Sequence, residues 1–187
     1  MKLRWAVAGV WLVSVLLVMV FVRADVGAYS RALALARALG LLSLTYLGVT
    51  LCVSPLARLL RVGPASNLRR ALGLAAAASA LLHATCAVWQ SPLRMVEQYE
   101  EPGLRWGMGA LLVLCALAVT SFGVVLRRLR LSTWKELHRL AYAAFGCGVL
   151  HALSMPFAWT VAILGGSVLV LLVGLLRFLP GDERERD

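Results

Sequence analysis

Charge is scarce in this sequence, and acidic charge is scarcest. Only 15% of its 187 residues are Asp, Glu, Lys or Arg, with 9 acidic residues against 19 basic ones. A soluble domain carries about a quarter charged residues. A chain that is 61% hydrophobic with a mean hydropathy of +0.83 is therefore not built to face water on all sides. No carboxylate falls inside the long apolar runs, which removes the usual mark of a proton-coupled transporter. The net charge of +10 comes without a soluble basic face or interleaved aromatics, so no nucleic acid partner is expected. The four cysteines, Cys52, Cys86, Cys115 and Cys147, form no CxxC pair and imply neither a disulfide framework nor a zinc site. They read as small apolar packing residues. No glycine-rich loop of the phosphate-cradling kind is present.

What is present is a succession of apolar runs. Crossing the hydrocarbon core takes about 20 apolar residues in a helix, and in lipid the backbone must satisfy its own hydrogen bonds. The runs predict an all-α integral membrane bundle of six helices at about 5–22, 39–56, 71–89, 106–126, 137–155 and 157–176. They form one domain over 1–178, followed by a short cytoplasmic tail at 179–187. Breakers separate them: SPL at 54–56, VGP at 62–64, SPL at 91–93, EPG at 101–103, MP at 155–156 and LPG at 179–181. Lys2, Arg4 and the first run, ending in VRA before Asp25, also resemble a cleaved leader. The 18-residue run is longer than a usual leader core, so it is expected to stay as a helix.

Basic residues fix the orientation. With the N-terminus inside, only Arg23, Arg31, Arg37, Arg94 and Arg105 lie on the outer side, leaving 14 of 19 in cytoplasmic segments. The positive-inside rule then places both termini in the cytoplasm. The basic segments would also meet anionic membrane lipid.

The stretch WKELHRLAYAAFGCGVLHALSM, residues 134–155, holds two of the three histidines, His138 and His151. They are 13 residues apart, or about 20 Å along a helix. Taken as one helix, the segment is expected to turn both to the same side, with His138 near the cytoplasmic surface and His151 deeper. His83 lies on the third run, and the residue 13 before it is Arg70. The third and fifth helices run in the same direction. Arg70 is therefore expected level with His138, and His83 level with His151. Two imidazoles facing one another across a bundle can ligate a porphyrin iron from both sides. The plainer alternative is hydrogen bonding across helices or to backbone. For His138, in a basic interfacial segment, an ordinary solvated histidine is a competing reading.

Three stretches carry a resemblance: SPLARLLR at 54–61, LRRALGLAAAASALLH at 68–83 and WKELHRLAYAAFGCGVLH at 134–151. Together they resemble the ferric reductase-like transmembrane domain family, which includes NADPH oxidases and ferric reductases. Within it the likeness is to the small bacterial MsrQ/YedZ type, heme-binding membrane subunits of a protein-methionine-sulfoxide reductase system. The resemblance implies a b-type cytochrome in the bacterial inner membrane, an electron-transfer subunit rather than a catalyst on its own. It implies heme ligands at His83, His138 and His151, with Arg70 where four-histidine relatives carry a further ligand. One heme b is implied, with a second at the His138 level as an open question. Flavin mononucleotide (FMN) is a further cofactor by resemblance. The implied donors are a cytoplasmic NAD(P)H flavin reductase or quinol. The implied acceptor is a periplasmic molybdopterin enzyme that reduces methionine sulfoxide. SRALALARALG before the second helix lacks the Thr-Gly expected there, which leaves the subfamily open. The tail RFLPGDERERD is too short for a fused nicotinamide or flavin domain, so a partner is expected to supply electrons.

Two alternatives stay open beside this reading. One is another ferric reductase-like transmembrane electron carrier. The other is a non-heme membrane scaffold or transporter-like protein whose histidines pack or relay protons.

Overall fold

The computed structural model describes residues 2–24, 31–60, 66–90, 101–155 and 160–175. Residues 25–30 and 91–100, expected as outer loops, the VGP and LPG breakers and the tail 179–187 lie outside them. The fold is all-α. The described helices are α1 (Lys2–Ala24), α2 (Arg31–Leu59), α3 (Ser66–Gln90), α4 (Pro102–Ser121), α5 (Gly123–Leu126), α6 (Leu131–Leu137), α7 (Leu140–Ser154) and α8 (Thr160–Leu175). Arg31–Leu59, Asn67–Gln90 and Pro102–Ser121 are long and apolar enough to cross a membrane, and Gly165–Leu175 is a shorter apolar stretch.

Small residues set how closely the helices approach. Ala71, Ala76 and Ala77 of α3 are buried against Leu42, Tyr46, Leu47 and Leu51 of α2. With no side chain beyond Cβ on α3, the backbones come close enough for Ser43 Oγ to donate to the Ala76 carbonyl at 2.8 Å. Such contacts replace the hydrophobic driving force that is missing between helices in lipid. Ser14 of α1 meets the Tyr46 hydroxyl at 2.7 Å, tying the first helix to α2. The pairs α2/α3 and α4/α7 are the two most extensive packings. They join through Leu114, Leu117, Ala141, Ala144 and Phe145 in a common core. Leu12, Leu16, Leu112, Leu169, Leu171 and Leu172 all point outward with more than half their surface exposed. In water that would be an extended apolar patch; against acyl chains it is the expected outer surface.

Two of the predicted helices are interrupted. The run expected at 106–126 stops at Ser121, and Phe122 is extended (φ −69°, ψ 137°) before α5 begins. Thr120 and Ser121 turn their hydroxyls back onto the Leu117 carbonyl, at 3.0 and 2.8 Å. Hydroxyls that bond the preceding turn compete with the helix ladder, and Gly123 next in sequence adds little helix preference. The run expected at 137–155 is divided at His138 and Arg139, where Ala141 N–H reaches His138 O (3.3 Å) and Tyr142 N–H reaches Arg139 O (3.0 Å). These are three-residue steps of the tighter 3₁₀ kind. The chain stays in the right-handed helical region there, with φ −70°, ψ −7° at His138. At the other end Met155 is extended (φ −92°, ψ 138°), the conformation favoured before a proline, whereas α2 runs on through the SPL expected as a breaker, with Pro55 inside it.

Candidate functional site

His83 of α3 and His151 of α7 come together across the bundle. Their ring centroids are 6.1 Å apart and their planes are 69° apart. Each ring is held by the partner helix of its own pair. His83 Nδ1 donates to the Ala36 carbonyl of α2 at 2.7 Å. His151 Nδ1 donates to the Gly103 carbonyl of α4 at 2.8 Å. A carbonyl only accepts, so the proton of each neutral ring sits on Nδ1 and the lone pair on Nε2. Both rings are seated over glycines. A Cβ added to Gly40 would stand 3.1 Å from His83 Nδ1, and one added to Gly107 would stand 2.9 Å from His151 Nδ1.

These features fit a flat metal group gripped from both faces. Two metal–nitrogen bonds of about 2 Å, with a ring radius of about 1 Å at either end, span about 6 Å between centroids. Anchoring Nδ1 to a carbonyl is the usual way a ligating imidazole is oriented and made more basic. Among the described residues no group of three or more His, Cys, Asp or Glu side chains converges. Zinc asks for three or four such ligands, so the donor set suits an axial pair rather than a tetrahedral site. All four cysteines are free thiols.

His138 is placed differently. One regular helix would not bring it to the same side as His151, yet both rings reach α4, His138 at Ser121 and His151 at Gly103. Thirteen residues at about 100° each end about 220° past three full turns, so an ideal helix already turns the two apart. In the structure His138 lies in the turn between α6 and α7. Its Nδ1 donates to the Trp134 carbonyl at 3.0 Å. Its Nε2 meets Ser121 Oγ at 3.2 Å, while that hydroxyl is also 2.8 Å from the Leu117 carbonyl. One hydroxyl proton cannot serve both acceptors, so the Ser121–His138 contact is readily displaced. Trp134 lies against the His138 ring at 4.1 Å between centroids. The Arg69 charge acts on the same ring. Arg70 Nε and Trp134 Nε1 are buried donors with no hydrogen-bond partner among the described residues.

Sequence reading singled out the histidines and missed what holds them. Gly40 and Gly107 follow the two accepting carbonyls, Ala36 and Gly103, by one helical turn each. The available signal was a small residue followed four positions later by glycine, on the helix packed against each histidine-bearing helix.

The family described as "Ferric reductase like transmembrane component" matches residues 36–149, which include Ala36, Gly40, His83, Gly103, Gly107 and His138. The chain is similar to the protein-methionine-sulfoxide reductase heme-binding subunit MsrQ of Azospira oryzae. The two are 34% identical over 148 residues, covering 76% of this chain and 63% of the relative. It is 35% identical to the subunit of the same name from Herminiimonas arsenicoxydans over 58% of this chain and 52% of that one. It is also 35% identical to the one from Bordetella pertussis, over 75% of this chain and 71% of the relative. The matched parts of the first two relatives thus amount to less than two thirds of their length. With well over half its length matched by the family and helices of spanning length, this membrane protein belongs to the ferric reductase like transmembrane component family and groups within it with the MsrQ subunits.

Proposed function

We propose that this chain is the heme-binding subunit of a transmembrane electron-transfer system, with one b-type heme held between His83 and His151. The observation that carries the reading is the facing pair itself. Two imidazoles stand 6.1 Å apart, each with Nδ1 committed to a carbonyl of a neighbouring helix. Heme supplies a reversible one-electron couple. The chain's own residues would hold it: Nε2 of each ring is left to donate a lone pair, because each Nδ1 is committed to a helix carbonyl. The MsrQ relatives are named as heme-binding subunits of a protein-methionine-sulfoxide reductase, which supports heme as the bound group. Electrons enter from a cytoplasmic NAD(P)H flavin reductase or from quinol. They leave across the bacterial inner membrane to a periplasmic molybdopterin enzyme that reduces methionine sulfoxide. FMN belongs to the same reading on the donor side, with no residue of this chain assigned to it.

The level of His138 and Arg70 is the entrance in this reading. It offers one imidazole, an always-charged guanidinium that ligates iron poorly, and two buried donors without partners, Arg70 Nε and Trp134 Nε1. Donors of that kind suit the carboxylates of a heme edge. Either His138 holds a second heme through one axial bond, or Arg70 binds a propionate of the heme between His83 and His151.

The test is spectroscopic. The purified chain should give a reducible low-spin b-type spectrum, and His83→Ala or His151→Ala should abolish or greatly weaken it. Full heme content in the double variant would refute the axial assignment.

A further inference from the structure

We infer that Gly40 and Gly107 are positioning residues for the two imidazoles, each opening one backbone carbonyl to a histidine from the neighbouring helix. The inference rests on the assignment of His83 and His151 as the axial pair and explains how the chain fixes them.

The argument starts from helix geometry. A side chain on a helix leans toward the N-terminus and covers the turn before its own Cα. The side chain at one position thus lies over the carbonyl four residues earlier. That carbonyl already accepts the ladder bond, but its oxygen has a second lone pair. A slim hydroxyl can reach it past a small side chain, as Ser43 reaches the Ala76 carbonyl beside Ala80, but the broad edge of an imidazole fits best where the residue four positions on has no side chain. Ala36 and Gly40 stand in this relation on α2, and Gly103 and Gly107 on α4. In both places the earlier residue's oxygen takes the Nδ1–H, at 2.7 and 2.8 Å. In both places the later residue lies beneath the ring. The Gly107 Cβ position is 2.9 Å from His151 Nδ1 and 3.0 Å from Cγ and Cε1. The Gly40 position is 3.1 Å from His83 Nδ1 and 3.2 Å from Cε1. A methyl group at Gly107 forces the ring to shift, and one at Gly40 makes its ring give by a few tenths of an ångström, so that either strains the Nδ1 bond. The same arrangement recurs in two helix pairs that differ in sequence.

Not every glycine here is tight, which makes the idea testable on the full chain. A Cβ added to Gly73 on α3 or Gly109 on α4 meets nothing within 4 Å. Gly40→Ala and Gly107→Ala should weaken heme binding by about 10–100-fold, the usual cost of losing a partner behind a metal ligand. They should also raise the midpoint potential of the heme that remains, because an imidazole that loses its carbonyl is a poorer donor to ferric iron. The ferric electron paramagnetic resonance signal should shift as the ring turns. Gly73→Ala and Gly109→Ala should match the parent in all three measurements. Wild-type potential and resonance in Gly40→Ala and Gly107→Ala would overturn the inference, even if less protein carried heme. Where a variant keeps no heme, its melting is compared with that of the heme-free His83→Ala protein. Equal stability supports a lost ligand position, whereas a lower melting temperature shows a packing role and overturns the inference. Heme retained in His83→Ala and His151→Ala would instead bring down the axial assignment beneath it.

Discussion

The planes of His83 and His151 cross at 69° while their centroids stay 6.1 Å apart. Neither ring is free to turn, because each Nδ1 is tied to a carbonyl on a different helix. Crossed ligand planes leave two iron orbitals nearly equal in energy, whereas parallel planes split them. The oxidised protein should therefore give a strongly anisotropic low-spin resonance at cryogenic temperature. A signal of the ordinary parallel-plane type would show that the rings do not keep this angle around iron.

The His138 level should behave as a second, weaker site. His138→Ala should remove a more readily lost heme while the His83–His151 spectrum survives. Arg70→His should convert that level to six-coordinate low-spin heme by supplying the missing imidazole. Heme titration with redox potentiometry is the measurement. A strict single heme, unchanged in both variants, would reduce His138 to an interfacial histidine held by Trp134 and Ser121.

Orientation can be read with reporter fusions. The bias of basic residues predicts cytoplasmic signals after Leu60, Leu131 and Arg177, and a periplasmic one at Glu100. Arg177 and Glu100 lie outside the described residues, so this tests the topology independently of the fold. A cytoplasmic signal at Glu100 would refute the six-span arrangement.

Partnership is tested in cells. Deleting the gene should leave a periplasmic methionine sulfoxide reductase present and folded, yet unable to draw electrons across the membrane. An unchanged rate of methionine sulfoxide repair would remove the assignment of acceptor. A soluble flavin reductase should bind the basic cytoplasmic face in a salt-sensitive manner, since exposed charges are screened beyond about 8 Å at physiological ionic strength.

Composition and run length sufficed to read an all-α membrane bundle, because lipid leaves few solutions for the backbone. The meeting of His83 and His151 was legible too, since parallel helices turn equal sequence offsets into equal depths. Orientation around a helix axis was not. An ideal helix would set His138 and His151 about 140° apart, yet both reach α4, and the tighter 3₁₀ steps after His138 add rotation in the direction that closes the gap. The break at Phe122 was hidden for a similar reason: it depends on Thr120 and Ser121 turning back onto Leu117, whereas the apolar run itself continues unbroken to Leu126. The glycine seats were out of reach because their meaning is tertiary. Gly40 and Gly73 look alike in the sequence, and only the helix opposite tells them apart.

Each helix pair contributes one imidazole, so neither α2/α3 nor α4/α7 can complete the grip alone. On the proposed reading, heme is then a rivet between two halves that are otherwise joined by modest apolar contact. Any group that binds only the closed arrangement favours closure by mass action, by about 4 kcal/mol when present at a thousand times its dissociation constant. A newly inserted chain without heme is the looser one, with its halves freer to separate and more open to membrane proteases. On that reading, the supply of heme would govern how long the subunit survives as well as whether it conducts.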